Sequence, residues 1–279
     1  METLHDEFMP LIARPFSNNS SYKEILPDET LRPFIRCFWT EDYSKKNDEH
    51  KFCNLIIPDV CMDIITAFDK KNEICFSAFC TVDKKSYYLS DDIVNSNNVL
   101  FGIRFYAWTA NFFASKKMNG INCRTLNTEE YYPDVYSELI LSFKNAKSFE
   151  EMVKLSNSYF LNRLQTARID FELMRVCSDM VRSRGIFNIK EAACSVQKSE
   201  RQLERLFKES IGVSPKTLAS LIRYQSLWND ILNNPESNVQ NLVDKYSYFD
   251  QSHMLNDFKK RHGMSIKEAL DYAKSIYSD

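Results

Sequence analysis

The segment from Ser199 to Pro215 constrains the fold of this chain more than any other. It begins with a helix-start signal, because Ser199 is a preferred N-cap residue and Gln202 completes a capping box three residues later. Gly212 suits the left-handed position just past a helix end, and Ser214 followed by Pro215 starts another helix. Apolar residues recur between these signals at helical spacing, at Leu203, Leu206, Phe207 and Ile211. The segment therefore predicts a helix of about three turns.

The ten residues before this helix, Ile189 to Lys198, predict a second and shorter helix. Its apolar stripe contains the small residues Ala192 and Ala193, which allow two helices to cross closely. Gln197 and Lys198 leave only a tight connection between the two. This is the layout of a helix-turn-helix, in which the second helix enters the DNA major groove.

An internal repeat strengthens this interpretation, since a lone segment of this kind is more often an ordinary amphipathic surface helix. The pattern of the second helix recurs 51 residues later, and that of the first helix 50 residues later, so the second turn holds one inserted residue. Phe207-Lys208, Gly212 and Ser214 correspond to Phe258-Lys259, Gly263 and Ser265, and Ile189, Ala192 and Ala193 correspond to Val239, Leu242 and Val243. Two copies predict a double helix-turn-helix.

Residues 186–272 resemble the double helix-turn-helix of the AraC/XylS family of bacterial transcription regulators. The matching residues are Ser199, Arg201, Leu203, Phe207-Lys208, Gly212, Ser214-Pro215 and Arg223 in the first unit, and Tyr248, Asp250, Ser252, Phe258-Lys259, Gly263 and Ser265 in the second. The chain departs from the family at four places. Ser247 stands where Gly is usual, Ile266 where Pro is, Ala269 where Tyr is, and Asn256 where Arg is common.

The outer faces of the two second helices are the predicted DNA-reading surfaces. We expect Arg201 and Arg205 to contact bases, because an Arg side chain can donate two hydrogen bonds to one guanine. We expect Lys208 to contact phosphate. The second helix, starting at Asp250, has no Arg on this face before Arg261, so its contribution is expected to be selectivity. The candidate DNA-binding residues are Ser199, Glu200, Arg201, Gln202, Glu204, Arg205, Lys208, Gln251, Ser252, His253, Asn256 and Lys259.

The charge distribution agrees with a DNA surface, although the formal net charge of the chain is only −2. Residues 182–223 contain nine basic and four acidic residues. A local basic patch supplies the electrostatic attraction that DNA binding needs. The alternative is a solvated charged face without a partner.

The N-terminal half reads as short strands with polar turns after a loosely structured lead-in over residues 1–30. Strands are predicted near Ile35–Tyr43 and Val99–Tyr106, and two more on either side of Pro58-Asp59. The sequences Pro58-Asp59, Cys61-Met62-Asp63 and Phe101-Gly-Ile-Arg-Phe105 are similar to the sensor half of one branch of the same regulators, with Val60 where Gly is usual. That similarity implies a cupin-like domain.

Two charged residues, Asp63 and Arg104, lie inside apolar strands, where a charge needs a partner or solvent. One hypothesis is that they approach each other or line a pocket, and the alternative is that both point outward. Together with Trp39 they are the candidate effector-binding residues.

The predicted fold class is α+β, in three parts. Residues 1–125 form a small β-barrel or sandwich of cupin-like type, residues 126–164 a helical connector, and residues 165–279 an all-α double helix-turn-helix domain. The connector has wide apolar faces around Phe149 and Phe160. These faces fit either a second copy of the chain, giving a homodimer, or the protein's own barrel.

The eight cysteines and four histidines leave two rival interpretations. No cysteine pair has the two-residue spacing of a zinc knuckle, and most lie in apolar runs, which favours buried thiols over a redox or metal sensor. One alkylation-repair methyltransferase joins the same DNA-binding module to a zinc-cysteine domain, but no matching cysteine cluster occurs here. We therefore expect no enzymatic activity, no catalytic residues, no metal site and no cofactor.

The function expected from these observations is sequence-specific transcription regulation controlled by a signal that the N-terminal domain senses. The expected partners are double-stranded DNA, RNA polymerase and a small-molecule effector. No apolar run has the length of a membrane span, and the first residues do not resemble a secretion signal, so the expected location is the cytoplasm.

Overall fold

The computed structural model describes residues 7–13, 22–43, 55–89 and 97–274. The sequence also predicts a charged loop at 45–51 and a turn at 95–98, and of these, residues 45–51 and 95–96 lie outside the described ranges. Strands dominate the described residues up to position 127, and helices dominate those after it.

Six strands of the N-terminal half form one antiparallel sheet in the order β1-β2-β7-β4-β5-β8, and the two short strands β3 and β6 pair separately. The strands are β1 Tyr22–Ile25, β2 Ile35–Asp42, β3 Leu55–Ile56, β4 Cys61–Phe68, β5 Ile74–Cys80, β6 Tyr87–Tyr88, β7 Val99–Tyr106 and β8 Thr125–Asn127. The predicted β-rich domain is confirmed, and within the described residues the sheet does not close into a barrel. Its outer strands, β1 and β8, have four and three residues and do not pair with each other.

The prediction of a loosely structured lead-in is wrong for Tyr22–Ile25, which pairs with β2 as an edge strand. Four residues, two of them charged, are too few to show an alternating pattern in the sequence. The sequence also predicts a loop over 122–134, which is wrong for β8 and for the short helix α1 at Thr128–Tyr131.

One face of the sheet is apolar and packs on the helical connector. Phe38 and Ile64 both lie opposite Ile103 on this face, and all three are buried. The ring centroid of Phe105 lies 5.6 Å from that of Phe160, in the connector helix α2 (Phe149–Leu164). This helix therefore packs on the protein's own sheet, which is one of the two predicted alternatives.

The remaining helices follow in the predicted order after an irregular helical stretch at 135–145. They are α3 Phe171–Arg182, α4 Ile189–Ser195, α5 Glu200–Ile211, α6 Pro215–Asn233, α7 Val239–Lys245, α8 Gln251–His262 and α9 Ile266–Lys274. Across the described residues, no helix has both the length and the apolar character needed to cross a membrane.

The repeat seen in the sequence corresponds to two matching units, α4–α5 and α7–α8, joined by α6. The capping box of Ser199 and Gln202 is formed, and Asp250 caps α8 in the same way by accepting a bond from the His253 amide. Helices α5 and α8 both end in left-handed glycines. Each turn also contains one non-glycine residue with positive φ, Gln197 at 53° and Ser247 at 52°. The left-handed backbone at Ser247 explains why glycine suits that place, since L-residues are strained there.

Candidate functional site: the helix-turn-helix units and the N-terminal sheet

The first reading helix, α5, buries one face and exposes the other. Leu203, Phe207 and Ile211 are fully buried against the rest of the protein. All seven candidate residues of this unit are exposed: Ser199, Glu200, Arg201, Gln202, Glu204, Arg205 and Lys208. The Gln202 side-chain oxygen accepts a bond from the Ser199 amide at 2.8 Å, so this residue also holds the helix start.

The cations of this face are exposed. Among the described residues, Arg201, Arg205 and Lys208 form no ion pair with an acidic side chain. By contrast, Lys198, at the entrance of the helix, pairs with Glu172. The two guanidinium groups and the ammonium group are therefore available to DNA.

The second reading helix, α8, has the same arrangement, and its exposed cations are Lys259 and Lys260. Met254 and Phe258 are fully buried. The five candidate residues of this unit are exposed: Gln251, Ser252, His253, Asn256 and Lys259. Asp257 turns inward, where it accepts a hydrogen bond from Tyr248 at 3.0 Å and lies 3.6 Å from Arg261. It therefore does not repel DNA from the reading face.

Sequence reasoning missed Phe249, which directly precedes the cap of α8. Its side chain is 90% exposed, more than any other large apolar residue among those described. The first unit has the polar residue Lys198 directly before its own cap. The sequence feature that could have indicated Phe249 is the one residue inserted in the second turn relative to the first.

The C-terminal end of α5 is held by a loop of the N-terminal half, residues 118–122. The Met118 amide donates to the Glu209 carbonyl at 2.7 Å, and the Asn122 side-chain amide donates to the Gly212 carbonyl at 3.0 Å. Lys117 adds an ion pair with the Glu209 carboxylate at 2.9 Å.

The C-terminal end of α8 is held by another loop of the N-terminal half, residues 84–86. The Arg261 guanidinium donates to the Lys84 carbonyl at 2.9 Å, and the Ser86 amide donates to the Arg261 carbonyl at 2.8 Å. Arg261 is only 9% exposed, so the one Arg of the second helix serves this contact. We call the loops 84–86 and 118–122 the latch, because each of them holds the end of one reading helix.

A third contact between the two halves involves Gln225 of α6, which is 2% exposed. Its side chain accepts from the Leu11 amide at 2.8 Å and donates to the Leu11 carbonyl at 3.1 Å and to the Pro58 carbonyl. The latch and Gln225 were not predicted, because hydrogen bonds to backbone carbonyls leave little mark on the sequence.

The candidate effector residues Trp39, Asp63 and Arg104 come together on the face of the sheet opposite the apolar one. The Trp39 indole donates to Asp63 Oδ1 at 2.8 Å, and Arg104 Nε donates to the same oxygen at 3.0 Å. The hypothesis that Asp63 and Arg104 approach each other agrees with this geometry. Asp59 and Glu24 lie 3.8 and 4.0 Å from the guanidinium, so carboxylates surround Arg104.

Gly102 makes room for this cluster. A Cβ atom at this position would lie 2.0 Å from a ring carbon of Trp39, which is closer than atoms can approach. The indole therefore lies directly over strand β7, and any side chain at residue 102 would displace it. This explains the glycine in Phe101-Gly-Ile-Arg-Phe105.

The cluster belongs to a row of residues that crosses five strands. Successive partners in the row are Cys37, Arg104, Asp63, Cys80 and Thr125, each directly opposite the next. Such partners share one face of a sheet. The row therefore connects the Trp39–Asp63–Arg104 cluster to β8, the strand that follows the latch loop 118–122.

The cysteines do not form a metal site or a disulfide among the described residues. Cys37, Cys61 and Cys177 are buried, as expected for thiols in apolar runs, while Cys75, Cys123 and Cys194 are exposed. Burial raises the pKa of Cys80 to about 12, which keeps this side chain a thiol.

The two capped units, with exposed reading faces on helices of matching geometry, define a DNA-binding protein of the helix-turn-helix class. In agreement, residues 192–271 match the family described as a helix-turn-helix domain. The C-terminal region of the chain is an AraC-type helix-turn-helix domain, which confirms the resemblance seen in the sequence. Residues 23–127 match a family described as a domain of unknown function (DUF6597).

Among solved structures, the chain is similar to ToxT from Vibrio cholerae. ToxT of strain O395 is 17% identical, with 79% of this chain and 91% of that chain covered and a TM-score of 0.38. Unsaturated fatty acid bound wild-type ToxT of strain SCE256 is 13% identical, with 92% and 97% covered and a TM-score of 0.39. ToxT of strain O395 bound to (E)-4-(8-methylnaphthalen-1-yl)but-3-enoic acid is 16% identical, with 91% and 100% covered and a TM-score of 0.40. No curated protein sequence matches the chain.

Proposed function

We propose that this protein is a transcription regulator that binds a specific double-stranded DNA site and responds to a signal sensed by its N-terminal domain. The observation that carries the proposal is the pair of capped units joined by the single helix α6, each with an exposed polar outer face. Two reading helices on one chain suit successive major-groove segments, which lie about 34 Å apart on one face of DNA.

The two units contribute differently to DNA affinity and to base selectivity. Arg201 and Arg205 supply bidentate contacts to guanine, and Lys208 supplies phosphate attraction. Gln251 and Asn256 are amides that read adenine, and they add little attraction to phosphate. The first unit therefore supplies most of the affinity, while the second selects bases and fixes the register.

The test begins with an operator selected from a random double-stranded DNA library. The double variant Arg201→Ala/Arg205→Ala should then lose much more affinity than Gln251→Ala/Asn256→Ala, because each bidentate Arg contact contributes about 1–3 kcal/mol of discrimination. The first variant should also show a shallower dependence of log K on log salt if its cations displace counterions. The second variant should mainly relax base preference at one half-site.

Matched controls keep this comparison interpretable. Lys154→Ala removes an exposed cation of the connector helix α2, outside the basic patch at residues 182–223, and should change operator affinity little. Equal losses from the two double variants would contradict this difference between the units. Failure of the library to yield any preferred sequence would contradict regulation through a specific site.

Signal sensing is assigned to the Trp39–Asp63–Arg104 side of the sheet, where an effector would contact Trp39, Asp63 and Arg104. Support comes from charged groups held on the polar face of a sheet and connected by the row of residues to the strand beside the latch. Such a signal acts by stabilising one arrangement of the two halves, since only differential binding shifts an equilibrium. RNA polymerase is the partner through which transcription would change. Homodimer formation through the connector stays a prediction. The proposed site of action is the cytoplasm.

A further inference from the structure

A cleft of about 270 Å³ opens between the end of β5 and the start of β8, on the N-terminal half of the protein. Lys85, Asp83 and Tyr87 line one side, and Cys123 and Arg124 line the other. Cys80, the fourth residue of the cross-strand row, also lines the cleft, so the cleft lies at the β8 end of the row that contains Asp63.

The walls of the cleft are two chain segments that remain paired beyond the strands. The Thr81 amide donates to the Arg124 carbonyl at 3.0 Å, and the Cys123 amide donates to the Val82 carbonyl at 2.9 Å. One wall continues directly into the latch loop 84–86, and the other follows directly from the latch loop 118–122. A ligand touching both walls would therefore touch the supports of both reading helices.

The charges of the cleft favour an anion. Lys85 and Arg124 are exposed, and neither has a hydrogen bond or ion pair from its side chain to any residue that the structure describes. Arg104, in contrast, is surrounded by carboxylates and has no need of a further anion. Asp83 is the one acidic residue of the lining, and burial raises its pKa to about 7, so it loses much of its charge near neutral pH.

We propose that this cleft binds a small anionic effector, whose carboxylate or phosphate group lies between Lys85 and Arg124, and that its binding resets the spacing of the two latched reading helices. The Thr81 hydroxyl donates to the Arg124 carbonyl and accepts from the Arg124 amide, so it holds Arg124 in the wall of the cleft. The inference rests on the proposed DNA-binding function and adds a second ligand site, at the β8 end of the row that contains Asp63.

The expected change in operator affinity follows from the positions of Lys85 and Arg124 relative to the two latch loops. Lys85 lies within the loop that holds Arg261, and Arg124 lies two residues after Asn122, which holds Gly212. An anion that draws Lys85 and Arg124 together changes the relative position of the two loops. Coupling between sites in such systems is typically about 5–150-fold in affinity.

The test uses Cys123 as an attachment point, because it is exposed and lines the cleft. In the full chain with Cys53→Ser, Cys75→Ser and Cys194→Ser, Cys123 is labelled with a sulfonatoethyl or a trimethylammonioethyl methanethiosulfonate. The two labels form similar disulfide tethers of opposite charge. The anionic tether should change operator affinity at least about fivefold, and the cationic tether should not. Lys85→Gln/Arg124→Gln should abolish the response to the anionic tether.

Hydrogen exchange gives a second measurement that does not depend on DNA. The amides of Ser86 and Met118 donate across the latch, so their protection should change with the anionic tether alone. With complete labelling, equal effects of both tethers, or no effect of either on both measurements, would overturn the proposal. Absence of operator binding by the unlabelled protein would instead count against the DNA-binding function. The hydrogen-exchange measurement would still test whether an anion in the cleft changes the latch.

Discussion

At the scale of single residues, His262 is a titratable side chain buried in the DNA-binding half. It is fully buried, its Nδ1 lies 2.8 Å from the Tyr224 hydroxyl, and its ring centroid lies 4.7 Å from that of Trp228 and 5.0 Å from that of Phe258. Burial lowers its pKa to about 4, because the charged imidazolium would lose its hydration. The residue is therefore neutral in the folded protein at physiological pH.

This pKa predicts acid destabilisation. An unfolded His binds a proton near pH 6.5, whereas folded His262 binds one only near pH 4, so the unfolded state holds more protons between these values. The stabilising contribution is complete above pH 6.5 and is lost as pH falls towards 4, by up to about 3 kcal/mol. The unfolding free energy of His262→Phe, measured by urea denaturation over this range, should lack this component.

Tyr224→Phe serves as the control, because it removes the hydrogen bond and keeps the titrating imidazole. It should lower stability at every pH and retain the acid dependence. Asp83 contributes with the opposite sign, since its raised pKa makes the folded state bind the extra proton, but this contribution is common to all the proteins compared. A wild-type acid slope in His262→Phe would rule out His262 as its source.

At the scale of elements, the glycines that end α5 and α8 have the same backbone and different surroundings. Gly212 and Gly263 have φ values of 81° and 85°. A Cβ atom at Gly212 would lie 2.1 Å from the Ile121 carbonyl oxygen, a backbone atom of the latch. At Gly263 the nearest atom is the Ser86 hydroxyl at 2.5 Å, which can rotate away.

The two alanine variants therefore form a matched pair. Both should lose about 1 kcal/mol for placing an L-residue in the left-handed region. Gly212→Ala should lose more than Gly263→Ala, because loop 118–122 has to move, and its Met118 amide should lose exchange protection. Urea denaturation and hydrogen exchange of the full chain measure both effects. Equal stability losses with unchanged Met118 protection would show that the latch does not depend on close approach at Gly212.

The elements that could be predicted from sequence are those whose signals are local. Helix α5 begins at Glu200 after the Ser199 cap and ends at Ile211 before Gly212, as the capping box and the glycine indicate. The sequence also predicts a helix over 165–183, but this helix, α3, begins only at Phe171, because the Asp170 side chain accepts a bond from the Leu173 amide and caps it there. Strand β8 has three residues and exists because β5 provides a partner, which no local pattern records.

The same distinction holds for the candidate site. The exposed face of α5 could be predicted because buried and exposed residues alternate with the helical period, and Arg201 and Arg205 fall on the polar side. The meeting of Asp63 and Arg104 could be proposed because isolated charges in apolar strands need partners. The latch could not be predicted, because Met118 and Ser86 act through backbone amides that every sequence contains, and the Asn122 side chain donates to a backbone carbonyl.

At the scale of the whole molecule, the main hydrophobic core crosses the boundary predicted at residue 165. It includes Met118 and Ile121 from the N-terminal half and Phe207, Ile211 and Val213 from the first helix-turn-helix unit. The second unit has another core built around Trp228 and Phe258, and this core includes Leu55 and Ile57 of the N-terminal half. Both reading units therefore pack against the N-terminal half.

A fragment of residues 165–279 tests this dependence. It should fold and bind the selected operator with marked salt sensitivity, because all the candidate DNA-binding residues lie within it. Amides of α5 should exchange faster than in the full chain, because Met118 and Ile121 no longer cover the end of that helix. Amides of α8 should also exchange faster, because Lys84 and Ser86 no longer hold Arg261. An unfolded fragment, or operator binding that does not vary with salt, would contradict this prediction.

The latch holds each reading helix at its C-terminal end, while most of the candidate base-reading side chains lie towards its N-terminal end. Each helix can thus act as a lever with its pivot at the latch. A 12-residue helix is about 18 Å long, so a rotation of about 5° at the pivot displaces the far end by about 1.5 Å. Hydrogen bonds to bases tolerate only about 0.5 Å of variation in length. A movement too small to disturb the packing of the N-terminal domain is therefore large enough to decide whether a guanidinium group reaches its base.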